Sequence, residues 1–259
     1  MVAMLDVTAV PALRDNYVWL LHGREPERVA IVDPGEAAPV RETLRKRSLK
    51  PSCILVTHRH WDHVNGIGEL VAEWDLPVYG PADEPVPERT RGLGDGDVLE
   101  LDELGLRFRI LAVPGHTLGH IAFHGHGVLL SGDTLFSGGC GRVFEGSPEQ
   151  MLESLHRLRD LPEETRVLCG HEYTLKNLEF CAAVEPDNPA IEARRQWARE
   201  RREAGEPTLP SSLAEERRIN VFLRCDEDSV RSGAEQRAGH SLDREAAVFA
   251  TVREWKDRF

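Results

Sequence analysis

Short, nearly continuous apolar runs separated by turn residues fill the first two thirds of the chain. Residues 17–21, 29–32, 53–57, 107–113, 121–124, 128–131 and 166–169 read as β-strands, several apolar enough to be covered on both faces. Two stretches with helical spacing interrupt them, 39–47 and 148–158. The second opens on Ser147-Pro-Glu-Gln150, a capping box with proline at the first helical position, and repeats Leu152, Leu155 and Leu158. This alternation predicts a layered α/β domain. Residues 91–106, rich in Gly and Asp, read as a connection.

The texture changes after Gly170-His171. Asn188-Pro189 starts an arginine-rich helix that ends near Gly205, Ser212-x-x-Glu215 is a second capping box, and a last helix begins near Ser241. That helix is expected to set Ala246, Phe249, Ala250 and Trp255 on one face; only 220–224 is ambiguous between strand and helix. The expected organisation is a catalytic domain over 1–173 and an all-helical domain over 174–259.

Composition narrows the class without fixing it. The chain has 259 residues, a formal charge of −12 and no apolar run near the ~20 residues of a membrane span. Residues 1–173 carry 17 basic and 27 acidic side chains, and residues 174–259 carry 15 and 17, so the acidity lies mostly in the first part. That balance argues against nucleic acid as partner and requires local cations for any anionic substrate. Five scattered cysteines without a CxxC pair, and an opening Met1-Val-Ala-Met-Leu-Asp6 with no basic or long apolar stretch, point to a reduced, cytoplasmic chain.

The chemistry is concentrated in seven positions. Thr57-His-Arg-His-Trp-Asp-His63 packs three imidazoles and a carboxylate into six residues, and His116, Asp133 and His171 each follow a strand. No packing requirement produces such a run, and burying it without a ligand would cost on the order of a few kcal/mol per unsatisfied group. His58 and His60, two apart beyond a strand, can share an ion; Asp62 and His63 can face a second. Asp133 is the ligand left over after two sets of three, hence the natural bridge. A shared carboxylate can hold two ions ~3.5–4 Å apart with a hydroxide between them. Imidazole and carboxylate together suit zinc, iron or manganese, and the residues do not choose among them.

With those residues in place, the chain resembles the metallo-β-lactamase superfamily, and within it the glyoxalase II (hydroxyacylglutathione hydrolase) family. The likeness runs through Pro114-Gly-His-Thr-Leu-Gly-His120, Ser131-Gly-Asp-Thr-Leu-Phe136, Gly139-Cys-Gly-Arg142, Gly170-His-Glu-Tyr-Thr174 and Arg253-Glu-Trp-Lys-Asp257. The resemblance implies an αββα sandwich, two mixed β-sheets flanked by helices, with a helical C-terminal domain. It implies two divalent ions, one on His58, His60 and His116, the other on Asp62, His63 and His171, with Asp133 shared and with Asp133, Asp62 and His63 as the catalytic ligands. Arg142, Phe144, Tyr173, Arg253 and Lys256 match the positions that bind glutathione. Phe144 stands where relatives often have tyrosine, so a hydroxyl donor is lost. The implied reaction is hydrolysis of S-lactoylglutathione to D-lactate and glutathione, the second step of the glyoxalase pathway, by a monomer (a dimer being the alternative).

Other residues are assigned plainer roles. His120 reads as structural, His124 and His126 as surface residues of a hairpin turn, and Cys140 and Cys169 as thiols without a base. Asp33 is divided between turn chemistry and support of the metal site. The rival readings are another enzyme of the same fold (a different thioesterase, a persulfide dioxygenase, a lactonase or a nuclease) and, from a different class, a non-catalytic metal-stabilised binding module.

Overall fold

The computed structural model describes residues 4–259; the first three residues of the opening segment lie outside the described residues. In chain order the strands are β1 (Val7–Ala12), β2 (Asn16–His22), β3 (Arg28–Val32), β4 (Lys50–Leu55), β5 (Val78–Pro81), β6 (Arg91–Leu93), β7 (Val98–Leu101), β8 (Leu106–Ala112), β9 (Ile121–Gly125), β10 (Val128–Gly132), β11 (Leu135–Phe136), β12 (Gly139–Cys140), β13 (Arg166–Cys169) and β14 (Ser211–Ser212). The helices are α1 (Ala37–Arg47), α2 (Trp61–Val64), α3 (Ile67–Trp74), α4 (Pro148–Arg159), α5 (Thr174–Val184), α6 (Pro189–Glu203), α7 (Leu213–Ile219), α8 (Asp228–Ala238) and α9 (Glu245–Asp257). Two compact units divide these elements.

The first unit contains residues up to Val113, with Gly119–Gly132 and Leu168–His171. Its first sheet has the order β1-β2-β3-β4-β5-β6, antiparallel through β3 and parallel from β3 onward. One face of that sheet buries Val18, Leu20, Ile31 and Ile54 against Val40 and Leu44 of α1 and Ile67 and Leu70 of α3. Its second sheet runs β13-β10-β9-β8-β7, and Trp19 Nε1 of β2 donates to Cys169 O of β13 at 2.9 Å, tying the two sheets together. β9 and β10 join through His126-Gly127, both at positive φ, the geometry of a two-residue hairpin.

Several elements of this unit depart from the sequence reading, among them α3 and β5, which lie outside the segments expected to be regular. β1 went unread because Pro11 argues against a strand, yet β1 is a sheet edge, where a missing N–H costs no ladder bond. Residues 91–106 hold β6 and β7; the in-out alternation of Val98–Leu101 was masked by the turn residues around it. β4 ends at Leu55, two residues before the expected limit, so Val56 and Thr57 lead out of the sheet.

The second unit contains Pro114–Leu118, Asp133–Val167 and Glu172–Phe259. Both hydrogen bonds of the Ser147/Gln150 capping box form, and Asn188 and Ser212 cap α6 and α7. Beyond residue 173 everything regular is helical except β14, and the ambiguous 220–224 segment contains a single 3₁₀ turn, Val221–Leu223. The core is aromatic: Phe180, Phe222 and Phe249 lie within 6.0 Å of one another in sequence of contact. α9 buries Val248, Phe249, Val252 and Arg253, not the Ala246/Ala250 stripe expected, since valine removes more apolar area from water than alanine.

The turn between β11 and β12 is gripped by side chains from the helical region. Asn220 Nδ2 donates to Phe136 O and Gly139 O, Asn177 Nδ2 to Ser137 O, Cys181 Sγ to Gly138 O and Arg253 Nη1 to Cys140 O. Five consecutive carbonyls are thereby satisfied. Glu216, fully buried, accepts from Gly138 N at 2.7 Å and from Asn220, and burial raises its pKa. Asn220→Ala strands two buried carbonyls and should cost about 2–4 kcal/mol in urea unfolding, with an unchanged m-value; a loss below 1 kcal/mol would show the turn to be held by its own geometry.

Candidate metal centre

Within the first unit, β4 delivers the histidine run and β13 delivers His171. The chain leaves the sheet at Thr57 and enters α2 at Trp61, which carries Asp62 and His63 within one turn. His58 Nε2 lies 3.1 Å from His60 Nδ1, and the His58 and His63 rings are 4.2 Å apart. Asp62, His63 and His171 present ligand atoms that all lie within 4.8 Å of one another. His171 Nε2 is 3.3 Å and His63 Nε2 3.6 Å from Asp62 Oδ2. In the second unit His116 Nε2 stands 3.5 Å from Asp133 Oδ2.

These separations fit a metal better than a hydrogen bond. Two ligand atoms each about 2.1 Å from a tetrahedral ion are about 3.4 Å apart, which is the spacing of all three pairs, and each is long for an imidazole–carboxylate hydrogen bond. The far nitrogens fix which edge of each ring is offered. His63 Nδ1 contacts Asp33 Oδ2 at 3.1 Å, His171 Nδ1 contacts Asp15 Oδ1 at 2.9 Å, His116 Nδ1 contacts Arg142 O at 2.9 Å and His58 Nδ1 contacts Thr57 Oγ1 at 3.1 Å. An acceptor on Nδ1 holds the proton there and turns the Nε2 lone pair toward the ion. The donor set therefore fits divalent metal.

Some of this support was absent from the sequence reading. Asp33 proves to brace the site as well as the turn: its carboxylate accepts from Thr57 N and Thr57 Oγ1 at 2.8 and 2.7 Å besides meeting His63. Asn16 donates to Asp62 O and Oδ2, and Glu84 accepts from Arg59 N and Gly119 N. Two adjacent polar residues, Asp15 and Asn16, opening a buried strand were the available signal; Glu84, in a proline-rich loop, offered none. Gly35 has no room for a side chain, since a Cβ there would collide with the Asp62 carbonyl. His120 is fully buried and stacks on His58 at 4.6 Å, in keeping with a structural role.

The residues expected to meet substrate all belong to the second unit. Arg142 and Phe144 are exposed, and Phe144 lies 5.2 Å from the His116 ring. Tyr173 packs edge-on to Phe136. Lys256 rests over Phe180 and Phe259 and donates to Lys176 O. Arg253 is buried, over the Phe222 ring, with Nη1 on Cys140 O and Nη2 on Asp257. Cys140 is buried and burial raises its pKa, which disfavours the thiolate a nucleophile needs.

Asp33→Asn keeps the shape and the left-handed backbone but replaces an acceptor oxygen by an amide donor. It should weaken zinc affinity about 10- to 100-fold in competition with a chromogenic chelator; unchanged affinity would remove Asp33 from the site.

Comparison with known proteins agrees with this architecture. The metallo-beta-lactamase superfamily profile matches residues 13–171, and the hydroxyacylglutathione hydrolase C-terminus profile matches residues 172–259. The hydroxyacylglutathione hydrolase of Alkalilimnicola ehrlichii is 52% identical over 255 residues, covering 98% of this chain and all of that one. Those of Pseudomonas fluorescens and Nitrosomonas europaea are 52% and 49% identical, each covering 99% of this chain and 100% and 97% of their own. Among solved structures, ETHE1 from Myxococcus xanthus shares the fold at TM-score 0.65 and 23% identity, covering 98% of both chains. TTHA1623, solved in a di-iron-bound form, matches at TM-score 0.59 and 27% identity over 83% of this chain and 99% of its own. With both profiles tiling the chain and near-half identity from end to end, this protein belongs to the hydroxyacylglutathione hydrolase family of the metallo-β-lactamase superfamily.

Proposed function

We propose that the chain hydrolyses the thioester of S-2-hydroxyacyl glutathione, with S-lactoylglutathione as substrate, to D-lactate and glutathione. The observation that carries the reading is the pairing of a seven-residue imidazole and carboxylate set with a group of cations and aromatics on α9 and the 139–144 segment, in a chain about half identical to hydroxyacylglutathione hydrolases along its whole length. Residues 1–173 carry the metal chemistry and residues 174–259 the main grip on the thiol carrier, acting as a cytoplasmic monomer. No helix among the described residues is long and apolar enough to cross a membrane.

His58, His60 and His116 would hold one ion and Asp62, His63 and His171 the other, with Asp133 common to both. Zinc is the first choice; the di-iron form of TTHA1623 keeps iron as the alternative, and manganese is the third. When bound, such ions lower the pKa of water from 15.7 to about 7 and polarise a carbonyl oxygen. Asp62, His63 and Asp133 are the ligands given a direct part in the reaction. Arg142 and Lys256 bind carboxylates of the carrier, Tyr173 offers a hydroxyl, and Phe144 offers an apolar face without one. A thiol leaving group of pKa ~8.5 departs as thiolate without a protonating residue.

Metal analysis should find two ions per chain, and dialysis against chelator should abolish thioester cleavage until zinc, iron or manganese is returned. The carrier is tested by following glutathione and coenzyme A thioesters side by side. At least a tenfold preference for glutathione in kcat/KM, reduced by Lys256→Ala, is expected; equal rates on both carriers would end the glutathione reading and leave the hydrolase. Burial lowers the Lys256 pKa from 10.5 to about 8. The ammonium is charged below that value and loses its proton above it, so KM should rise between pH 7 and pH 9. Lys256→Arg keeps its charge throughout and should flatten the rise; an identical profile in both proteins would assign the pH dependence elsewhere.

A further inference from the structure

Asp257 is the last residue of α9, a position where a carboxylate opposes the helix dipole. Its surroundings supply the reason for its presence. Asp257 Oδ1 lies 3.3 Å from Arg142 Nε and accepts from Arg253 Nη2 at 3.0 Å. Arg253 is itself immobilised, buried over Phe222 with Nη1 on Cys140 O. A chain of contacts thus runs from the gripped turn between β11 and β12, through Arg253 and Asp257, to the exposed guanidinium of Arg142, all within the second unit.

We infer that Asp257 is a positioning residue that orients Arg142 for a substrate carboxylate, with Arg253 serving as its anchor. The inference rests on the reading that Arg142 meets the glutathione carrier. Asp257 engages the Nε edge, so the terminal nitrogens of Arg142 keep the paired geometry that matches a carboxylate. A long side chain that is 59% exposed would otherwise sample many rotamers before binding. Arg253 holds Cys140 O with one terminal nitrogen and Asp257 with the other, which fixes the carboxylate relative to the turn.

The test compares Asp257→Asn, Asp257→Glu, Arg142→Ala and the Asp257→Asn/Arg142→Ala double variant as intact, metal-loaded proteins. Asp257→Asn should raise KM for S-lactoylglutathione roughly two- to fivefold, the size of one lost ion pair at a half-exposed site, with kcat within about twofold. Asp257→Glu should recover most of the loss, and in the Arg142→Ala background the Asn change should add nothing. An unchanged or lowered KM, or the same rise with Arg142 absent, overturns the inference. A second readout needs no substrate: the Arg142 Nε–Hε nuclear magnetic resonance cross peak, identified by its loss in Arg142→Ala, should shift and gain mobility in Asp257→Asn. An unmoved cross peak also overturns it. Should the wild-type protein leave glutathione thioesters intact, the functional reading falls, and the cross peak still decides the link between Asp257 and Arg142.

Discussion

A single buried carboxylate, Asp33, fixes the end of one strand to the end of the next and aims a metal ligand at the same time. It sits at the exit of β3 with φ 51°, a conformation aspartate tolerates because its short side chain can bond locally. Both oxygens are in use, on Thr57 N, Thr57 Oγ1 and His63 Nδ1. β3 and β4 are parallel neighbours, so their ends emerge on the same side of the sheet, and Asp33 converts that proximity into a defined path for residues 57–63. Removing the acceptor would leave buried donors without partners, a cost comparable to a large share of a domain's net stability. The same logic recurs at Asp15 with His171 and at the Arg142 carbonyl with His116: the fold spends acceptors on one ring nitrogen to define the other.

The donors were legible in the sequence because their signal is local. Three histidines and an aspartate within six residues, and glycine-flanked His116, Asp133 and His171 after apolar runs, declare themselves without knowledge of the fold. Their supports are not local. Asp15 lies 156 residues from His171 and Glu84 lies 25 and 35 residues from the amides it holds, and a lone acidic residue in a loop looks the same whether or not it has such partners. Among the strands missed, β1 carries a proline, tolerated at an edge, β5 is four residues that include a glycine and a proline, and β7 alternates glutamate against leucine beside a glycine-rich turn.

Arg253 shows how much a spacing argument leaves open about a side chain's surroundings. It stands three positions before Lys256 on a helix, so the two are neighbours, and the family resemblance implied a pair of substrate cations. Which face of α9 turns inward is decided by Val248, Phe249 and Val252, and the burial stripe they define sweeps Arg253 inward while leaving Lys256 half-buried at its margin. Guanidinium survives there because it is planar, stacks on Phe222 and meets the Cys140 carbonyl; the buried position is one that a lysine would hold less readily.

Lys256 and Arg142, both proposed to meet an anionic carrier, differ in a way that follows from water alone. On a chain of net charge −12, long-range attraction for a glutathione anion is not available, and the grip depends on charges at short range. Lys256 is partly withdrawn from water over two aromatic rings, which both weakens its hold on a proton, to a pKa of about 8, and lessens the screening of its charge toward a ligand. Arg142 stays largely in solvent, so its field is screened and its side chain gains direction only from a restraining partner. Lys256 therefore gains strength at the expense of pH range, whereas Arg142 loses strength to the solvent around it. Asp257, reaching Arg142 from the end of the same helix that carries Lys256, brings both onto a common support.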